Sequence, residues 1–226
     1  MDAREMKIAA ARAALDEVRS GMALGLGTGS TAEEFVGLLG EAMSTGRLKG
    51  VRCTSTSNRT DAQAQSVGIE IHRLAAIAPL DLAIDGADEI DPQLRLVKGR
   101  GGSLLREKIV EQAAKRFIVI ADESKLVDRL GTGALPVEVT PFALDVLTER
   151  FTAMGLKPSL RMDANGPRIT DEGHRILDLR VPAHVEIADL VAQIRDNAGV
   201  VETGFFPREA SEAIIATPNG LRRMKR

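Results

Sequence analysis

The chain has 226 residues, with 30 Lys and Arg against 32 Asp and Glu and a formal net charge of −2 at pH 7. That balance argues against a general polyanion binder, and the lack of Trp and Tyr removes most stacking platforms for bases. Roughly 70% of the unfolded surface is buried at this size, enough for a core without disulfide or metal staples. The one cysteine, Cys53, allows no internal disulfide and fits a reducing compartment. The opening MDAREMKIAAARAAL carries charges where a signal peptide needs an apolar run, and no stretch approaches ~20 apolar residues. The expectation is a cytoplasmic protein with neither nucleic acid nor membrane as partner.

Ile8, Ala11, Leu15 and Val18 recur at helical spacing and predict an amphipathic helix over 4–19. Met22–Leu26 is a short apolar run that ends in glycines, and Ala32–Leu39 resumes a helical pattern. Further strands are predicted at Val51–Thr54, Ile69–Leu74, Leu80–Ile84, Leu94–Val97 and Phe117–Ala121, with helices at 59–67 and 103–115. This alternation predicts an α/β protein with a mainly parallel, Rossmann-like sheet and helices on both faces. In such sheets ligands sit beyond the carboxyl ends of the strands.

After Gly131 the rhythm changes. Pro136–Thr140 reads as a strand and Ala143–Met154 as a helix; Pro158–Met162 and Arg175–Val181 read as strands joined around the turn signal Asn165-Gly166. Glu186–Arg195 is a second helix and Val200–Phe206 a closing strand, so the order β-α-β-β-α-β predicts a smaller α+β ferredoxin-like domain. Ala213–Thr217 is one more apolar run, returning to the main sheet. The expected division is 1–131 with 207–226 for the catalytic domain and 132–206 for the small one. The basic tail LRRMKR is read as a solvated end.

Four loops follow predicted strands. Gly25-Leu-Gly-Thr-Gly-Ser-Thr31 opens a helix, whose free N–H groups and dipole favour an anion such as phosphate, with Ser30 and Thr31 adding hydroxyls. No Gly-Lys-Ser/Thr closes it as a Walker loop, and the acidic residue of a dinucleotide fingerprint is missing near Cys53 and Thr54. The bland alternative is a tight turn. Asp85-Gly-Ala-Asp88-Glu-Ile-Asp91 concentrates carboxylates that repel unless compensated, with neither EF-hand spacing nor a histidine to suggest a metal site. A solvated acidic loop is the alternative there. Lys98-Gly-Arg-Gly-Gly-Ser leads into a helix with Ser103 as a plausible N-cap and Glu107 near the first turn, where a carboxylate is favoured by the dipole without any function. Lys125 stands at a fourth strand end, where a lone lysine is ordinarily just solvated.

Taken together the loops supply an anion cradle, two aspartates, two lysines and one glutamate. That set suits proton transfer beside the carbonyl of a phosphorylated substrate, with a carboxylate as base and ammonium groups steadying an enediolate. His72, His174 and His184 have no partner pattern and are read as structural, and Cys53 as buried packing. No Gly-x-Ser-x-Gly elbow suggests serine hydrolysis.

The motifs GLGTGSTA, DGADEID, KGRGGSLLREKI and ADESKLVDRLG stand in an order that resembles the type A ribose-5-phosphate isomerases, and LPVEVTPFA and TDEGHRILDL resemble that family's small domain. The resemblance implies interconversion of D-ribose 5-phosphate and D-ribulose 5-phosphate in the non-oxidative pentose phosphate pathway, with no metal or organic cofactor, by a homodimer or homotetramer. It also implies roles: Glu107 as proton acceptor, Asp85 in ring opening and proton shuttling, and Lys98 stabilising enediolate oxygens. Substrate would be held by Thr28, Gly29, Ser30 and Thr31, by Asp85, Gly86, Ala87 and Asp88, and by Lys98, Gly99, Arg100 and Gly101. Lys125 and Lys7 complete the set. Arg100 departs from a loop often glycine throughout, and would incur a steric penalty if its φ were positive. His174 stands where Asn is common. The competing readings are a sugar-phosphate-sensing regulator, an amino-sugar phosphate deaminase and a coenzyme A transferase.

Overall fold

The computed structural model describes residues 1–226. Helix α1 (Ala3–Leu15) starts at a reciprocal capping box: Asp2 accepts from the backbone of Arg4 and Glu5, and the Glu5 side chain accepts from Asp2 N–H. It ends at Leu15, four residues short of the expected boundary. Then come β1 (Ala23–Leu26), α2 (Ser30–Ser44), β2 (Arg52–Ser55), α3 (Asn58–Ser66), a short α4 (Leu74–Ile77) and β3 (Leu82–Asp85). Two-residue strands β4 (Glu89–Ile90) and β5 (Leu96–Val97) precede α5 (Leu104–Gln112), β6 (Phe117–Asp122) and a 3-10 turn at Glu123–Lys125.

The next segment comprises β7 (Ala134–Val139), a 3-10 turn at Pro141–Ala143, α6 (Leu144–Ala153), β8 (Ser159–Leu160), β9 (Met162–Asp163), β10 (Gly166–Pro167) and β11 (Arg175–Arg180). It closes with α7 (Ile187–Arg195), β12 (Val200–Thr203) and β13 (Phe205–Phe206), before β14 (Glu212–Thr217) and β15 (Gly220–Lys225).

The main sheet has the order β15-β14-β6-β3-β1-β2, parallel except for the last pair, β14 with β15. Because β1 is followed by β2 on one side and β3 on the other, the strand order reverses between β1 and β3, where open α/β sheets place their ligands. Both faces are covered. Leu24, Leu26, Ile84, Ile118 and Ile120 pack with α1 and α2 through Ala10, Ala14, Phe35 and Leu39, while Ala83, Phe117, Val119 and Ile215 form a second cluster with Leu96 and Phe206. A separate antiparallel sheet, β12-β7-β11-β8, has the ferredoxin-like order, and α6 and α7 bury Leu147, Phe151, Leu190 and Ile194 with its Val137, Leu177 and Leu179.

Three sequence expectations change. Ile69–Leu74 is not a strand: it contributes one bridge, Ile71 to Cys53, and then coils into α4, so the ladder has no length to continue. Val200–Phe206 is two strands, the first paired with β7 and the second with β5, so the chain crosses from one sheet to another at Gly204. The tail LRRMKR is an edge strand rather than a free end. It lacks an apolar alternation but gains a full ladder to β14, and Arg223 binds Glu212 at 2.7 Å and Glu17 at 2.9 Å.

Candidate active site

Loops at the carboxyl ends of β1, β3, β5 and β6 meet around one open cavity of about 440 Å³. Thr28, Gly29, Ser30, Thr31, Gly86, Ala87, Asp88, Lys98, Gly99, Gly101, Glu107, Lys125 and Lys7 line it, as do Ala3, Met6, Asp122 and Ser124. Asp85 and Arg100 are the two expected site residues outside this lining. Asp85 is buried and accepts from the lining residues Thr28 and Gly86, and Arg100 is exposed with its guanidinium beside Gly133.

The loop after β1 is shaped by close approach. A Cβ on Gly27 would stand 2.1 Å from the Asp85 carboxyl carbon, so only glycine lets the two strand ends meet. The Asp85 carboxylate fills that space, accepting from Thr28 N–H at 3.0 Å and Gly86 N–H at 2.6 Å. The Thr28 hydroxyl joins a cluster with Thr56, Ser57 and Thr60 at 2.7–3.0 Å. Helix α2 has no side-chain cap at its N-terminus, so its first N–H groups, Ser30 and Thr31, and the nearby Lys7 and Lys125 present an anion-binding end.

In the same lining Lys98 is buried among acids. Its Nζ lies 3.0 Å from Asp85, 3.2 Å from Glu111 and 3.6 Å from Glu107, and donates to the Gly86 carbonyl. The rings of Phe117 and Phe206 lie 5.8 and 5.6 Å from the ammonium. Burial disfavours this charge, but Asp85, Glu107 and Glu111 outweigh it and hold the lysine pKa above its ordinary value. For Glu107 burial is the larger influence and pushes the pKa up to about 8, with Lys98 pulling it down and Asp85 and Asp88 adding to the rise. Glu111 is raised well above the carboxylate range, by burial first, against the pull of Lys98. Three carboxyls share one cation here, and the two glutamates hold protons more tightly than free ones do.

The acidic loop is not a solvated one. Asp85, Glu89 and Asp91 are buried, and each is matched by donors. Glu89 accepts from Gly131 N–H, Gly133 N–H and the Thr132 hydroxyl, while Asp91 accepts from Gln93, Arg95 and the Arg95 guanidinium. Asp88 accepts from Arg100 N–H at 2.9 Å. Arg100 is free of backbone strain, because the non-glycine residues with positive φ are Leu94 and Lys157. Ser103 sits at the N-cap of α5 but makes no capping bond. His174 binds Glu138 at 2.9 Å in the small sheet, a structural contact remote from the cavity lining.

Sequence reasoning missed Glu111, Asp122 and Ser124. Glu111 had a legible signal: it follows Glu107 by one helical turn, and a lysine-bearing strand end precedes both.

The model for ribose 5-phosphate isomerase A (phosphoriboisomerase A) matches residues 52–220. A ribose-5-phosphate isomerase A from Sinorhizobium fredii is 51% identical over 229 residues, covering 98% of each chain. A D-ribose-5-phosphate isomerase solved in complex with phospho-erythronic acid superposes with a TM-score of 0.96 at 39% identity, with both chains fully covered. The ribose 5-phosphate isomerase A structure from Methanocaldococcus jannaschii gives 0.92 at 36% identity, covering 98% of this chain and 99% of that one. These likenesses span whole chains at identities that fix ancestry as well as fold, and the chain belongs to the ribose 5-phosphate isomerase A family.

Proposed function

We propose that the protein interconverts D-ribose 5-phosphate and D-ribulose 5-phosphate, the step of the non-oxidative pentose phosphate pathway that its family implies. The observation that carries this reading is the meeting of Lys98 and Glu107, 3.6 Å apart, in the lining of a cavity to which the α2 N-terminus, Lys7 and Lys125 also contribute. The phosphate sits at the α2 N-terminus near Ser30 and Thr31, held by Lys7 and Lys125. The sugar opens to its aldehyde with help from Asp85, and Glu107 removes the C2 proton. Lys98 steadies the enediolate oxygens, the same carboxyl returns the proton to C1, and proton movement between O1 and O2 completes the ketose. A base with a pKa near the working pH is suited to both taking and returning a proton.

In this reading residues 1–131 with 207–226 form the catalytic domain and 132–206 the small one. The enzyme is cytoplasmic, needs no metal, and assembles as a homodimer or homotetramer, all as its family resemblance implies. The test is a coupled isomerase assay on ribose 5-phosphate with EDTA present and the Glu107→Gln protein alongside. Full activity in EDTA and a large loss in the variant are expected. Activity abolished by chelation, or ammonia release from an amino-sugar phosphate with ribose 5-phosphate untouched, overturns the reading.

A further inference from the structure

The glycine-rich loop after β5 is held from outside by two arginines that the sequence did not single out. Arg161, between β8 and β9, donates through Nη1 to the Gly99 carbonyl and, at 3.1 Å, to the Arg100 carbonyl. Its guanidinium is fixed by a two-pronged pair with Asp178 of β11, Nε to Oδ2 at 2.9 Å and Nη2 to Oδ1. Arg168 donates through Nη2 to the Gly101 carbonyl at 2.7 Å and pairs with Asp163 at 3.1 Å. The two arginines are neighbours, since Arg168 N–H donates to the Arg161 carbonyl at 2.9 Å. Arg168 lies flat against Gly102, where a Cβ would stand 2.3 Å from its Nε.

A trans peptide points its C=O and N–H in opposite directions, so a carbonyl drawn outward by an arginine turns the N–H of that same peptide away from the arginine. The Arg100 N–H is taken by Asp88 and the Gly102 N–H by the Gly99 carbonyl. Gly101 N–H belongs to the peptide whose carbonyl Arg161 holds; it has no protein acceptor, and Gly101 lines the cavity.

We propose that Arg161 and Arg168 are positioning residues that clamp the carbonyl face of the 99–102 loop from the small sheet and so present the Gly101 amide to the bound sugar phosphate. The inference rests on the isomerase reading above. Lys98 and Glu107 keep their own anchors, Lys98 N–H on the Gly204 carbonyl and Glu107 within α5, so the clamp acts on binding rather than on the proton transfer.

The test is steady-state kinetics on ribose 5-phosphate with Arg161→Ala, Arg161→Lys and Arg168→Ala, each beside wild type and with thermal melts. Loss of charge-assisted bonds to the loop is expected to raise KM about tenfold or more in Arg161→Ala, with kcat within about threefold. Added guanidinium ion at sub-denaturing concentration is expected to restore part of the KM, which a purely structural role does not allow. Arg168 is a third exposed, so Arg168→Ala carries the test should Arg161→Ala fail to fold, with a smaller KM rise in the same direction. A folded Arg161→Ala or Arg168→Ala protein with wild-type KM overturns the clamp, as does a loss confined to kcat, whereas Arg161→Lys, which keeps a charged donor, is expected to fall between Arg161→Ala and wild type. An inactive wild type overturns the isomerase reading itself, and the clamp with it.

Discussion

Replacing Lys98 by Met keeps the length of the side chain and removes the one cation among Asp85, Glu107 and Glu111. The three carboxylate oxygens lie 3.0, 3.6 and 3.2 Å from Nζ. At an effective dielectric of about 20, each full charge at such a distance is attracted by about 5 kcal/mol. Carboxyls deprived of that attraction hold their protons. Burial already pushes the Glu107 pKa up to about 8; without Lys98 it climbs further and a smaller fraction of the base is ionised at neutral pH. Loss of an oxyanion-stabilising donor costs another 2.7–4 kcal/mol or so of barrier. Turnover of Lys98→Met on ribose 5-phosphate is therefore expected to fall at least about a hundredfold at pH 7.5. The acid limb of kcat/KM, which rises with pH as Glu107 ionises, moves to higher pH. A coupled assay across pH 6–10 on wild type and variant measures both effects. Turnover within about tenfold of wild type, or an acid limb displaced downward, refutes the reasoning.

Glu107→Gln is expected to lower kcat by about 10²–10⁴ while leaving the fold intact. Because the folded pKa of Glu107 is raised, its contribution to stability is present below the unfolded value near 4.5 and lost as pH rises through about 8. The melting temperature of Glu107→Gln relative to wild type should therefore increase between pH 5 and 8.5, and a flat difference contradicts the buried-acid assignment. Gly27→Ala drives a methyl into the Asp85 carboxyl and is expected to destabilise by about 1–3 kcal/mol and nearly abolish turnover, measured by urea melts and kinetics. Cys53 is buried, which pushes its thiol pKa up to about 12, so a thiol-reactive dye should label it only after denaturation.

What was legible in the sequence follows from how completely each segment is buried. Ala23–Leu26, Leu82–Asp85 and Phe117–Asp122 are buried at every position, so they read as unbroken runs and located the loops that carry Asp85, Ser30 and Lys125. Helix α5 was expected over 103–115 and is there, but the burial of its polar residues was not legible: Glu107, Lys108 and Glu111 are buried beside Leu104 and Val110, against the usual amphipathic pattern. Lys108 is satisfied there by the Thr203 and Phe205 carbonyls and by Glu202, contacts that depend on residues about 95 positions away. The same holds for Arg161 and Arg168, whose partners at Gly99 and Gly101 are more than 60 positions distant. Strand β5 lies within the run expected at Leu94–Val97, whereas β4 is too short for any periodicity and β15 too polar; β4 pairs with β5 and β15 with β14.

Strand β14 separates β6 from the sheet's outer edge, yet the two are drawn from positions 117–122 and 212–217. During synthesis β6 leaves the ribosome with that flank bare, and an entire antiparallel sheet must be made before its neighbour emerges. A nascent chain paused before residue 212 thus exposes a naked ladder whose first five residues are apolar, a species prone to cross-pairing with other chains. Chaperone demand should therefore persist until β14 has emerged and paired with β6.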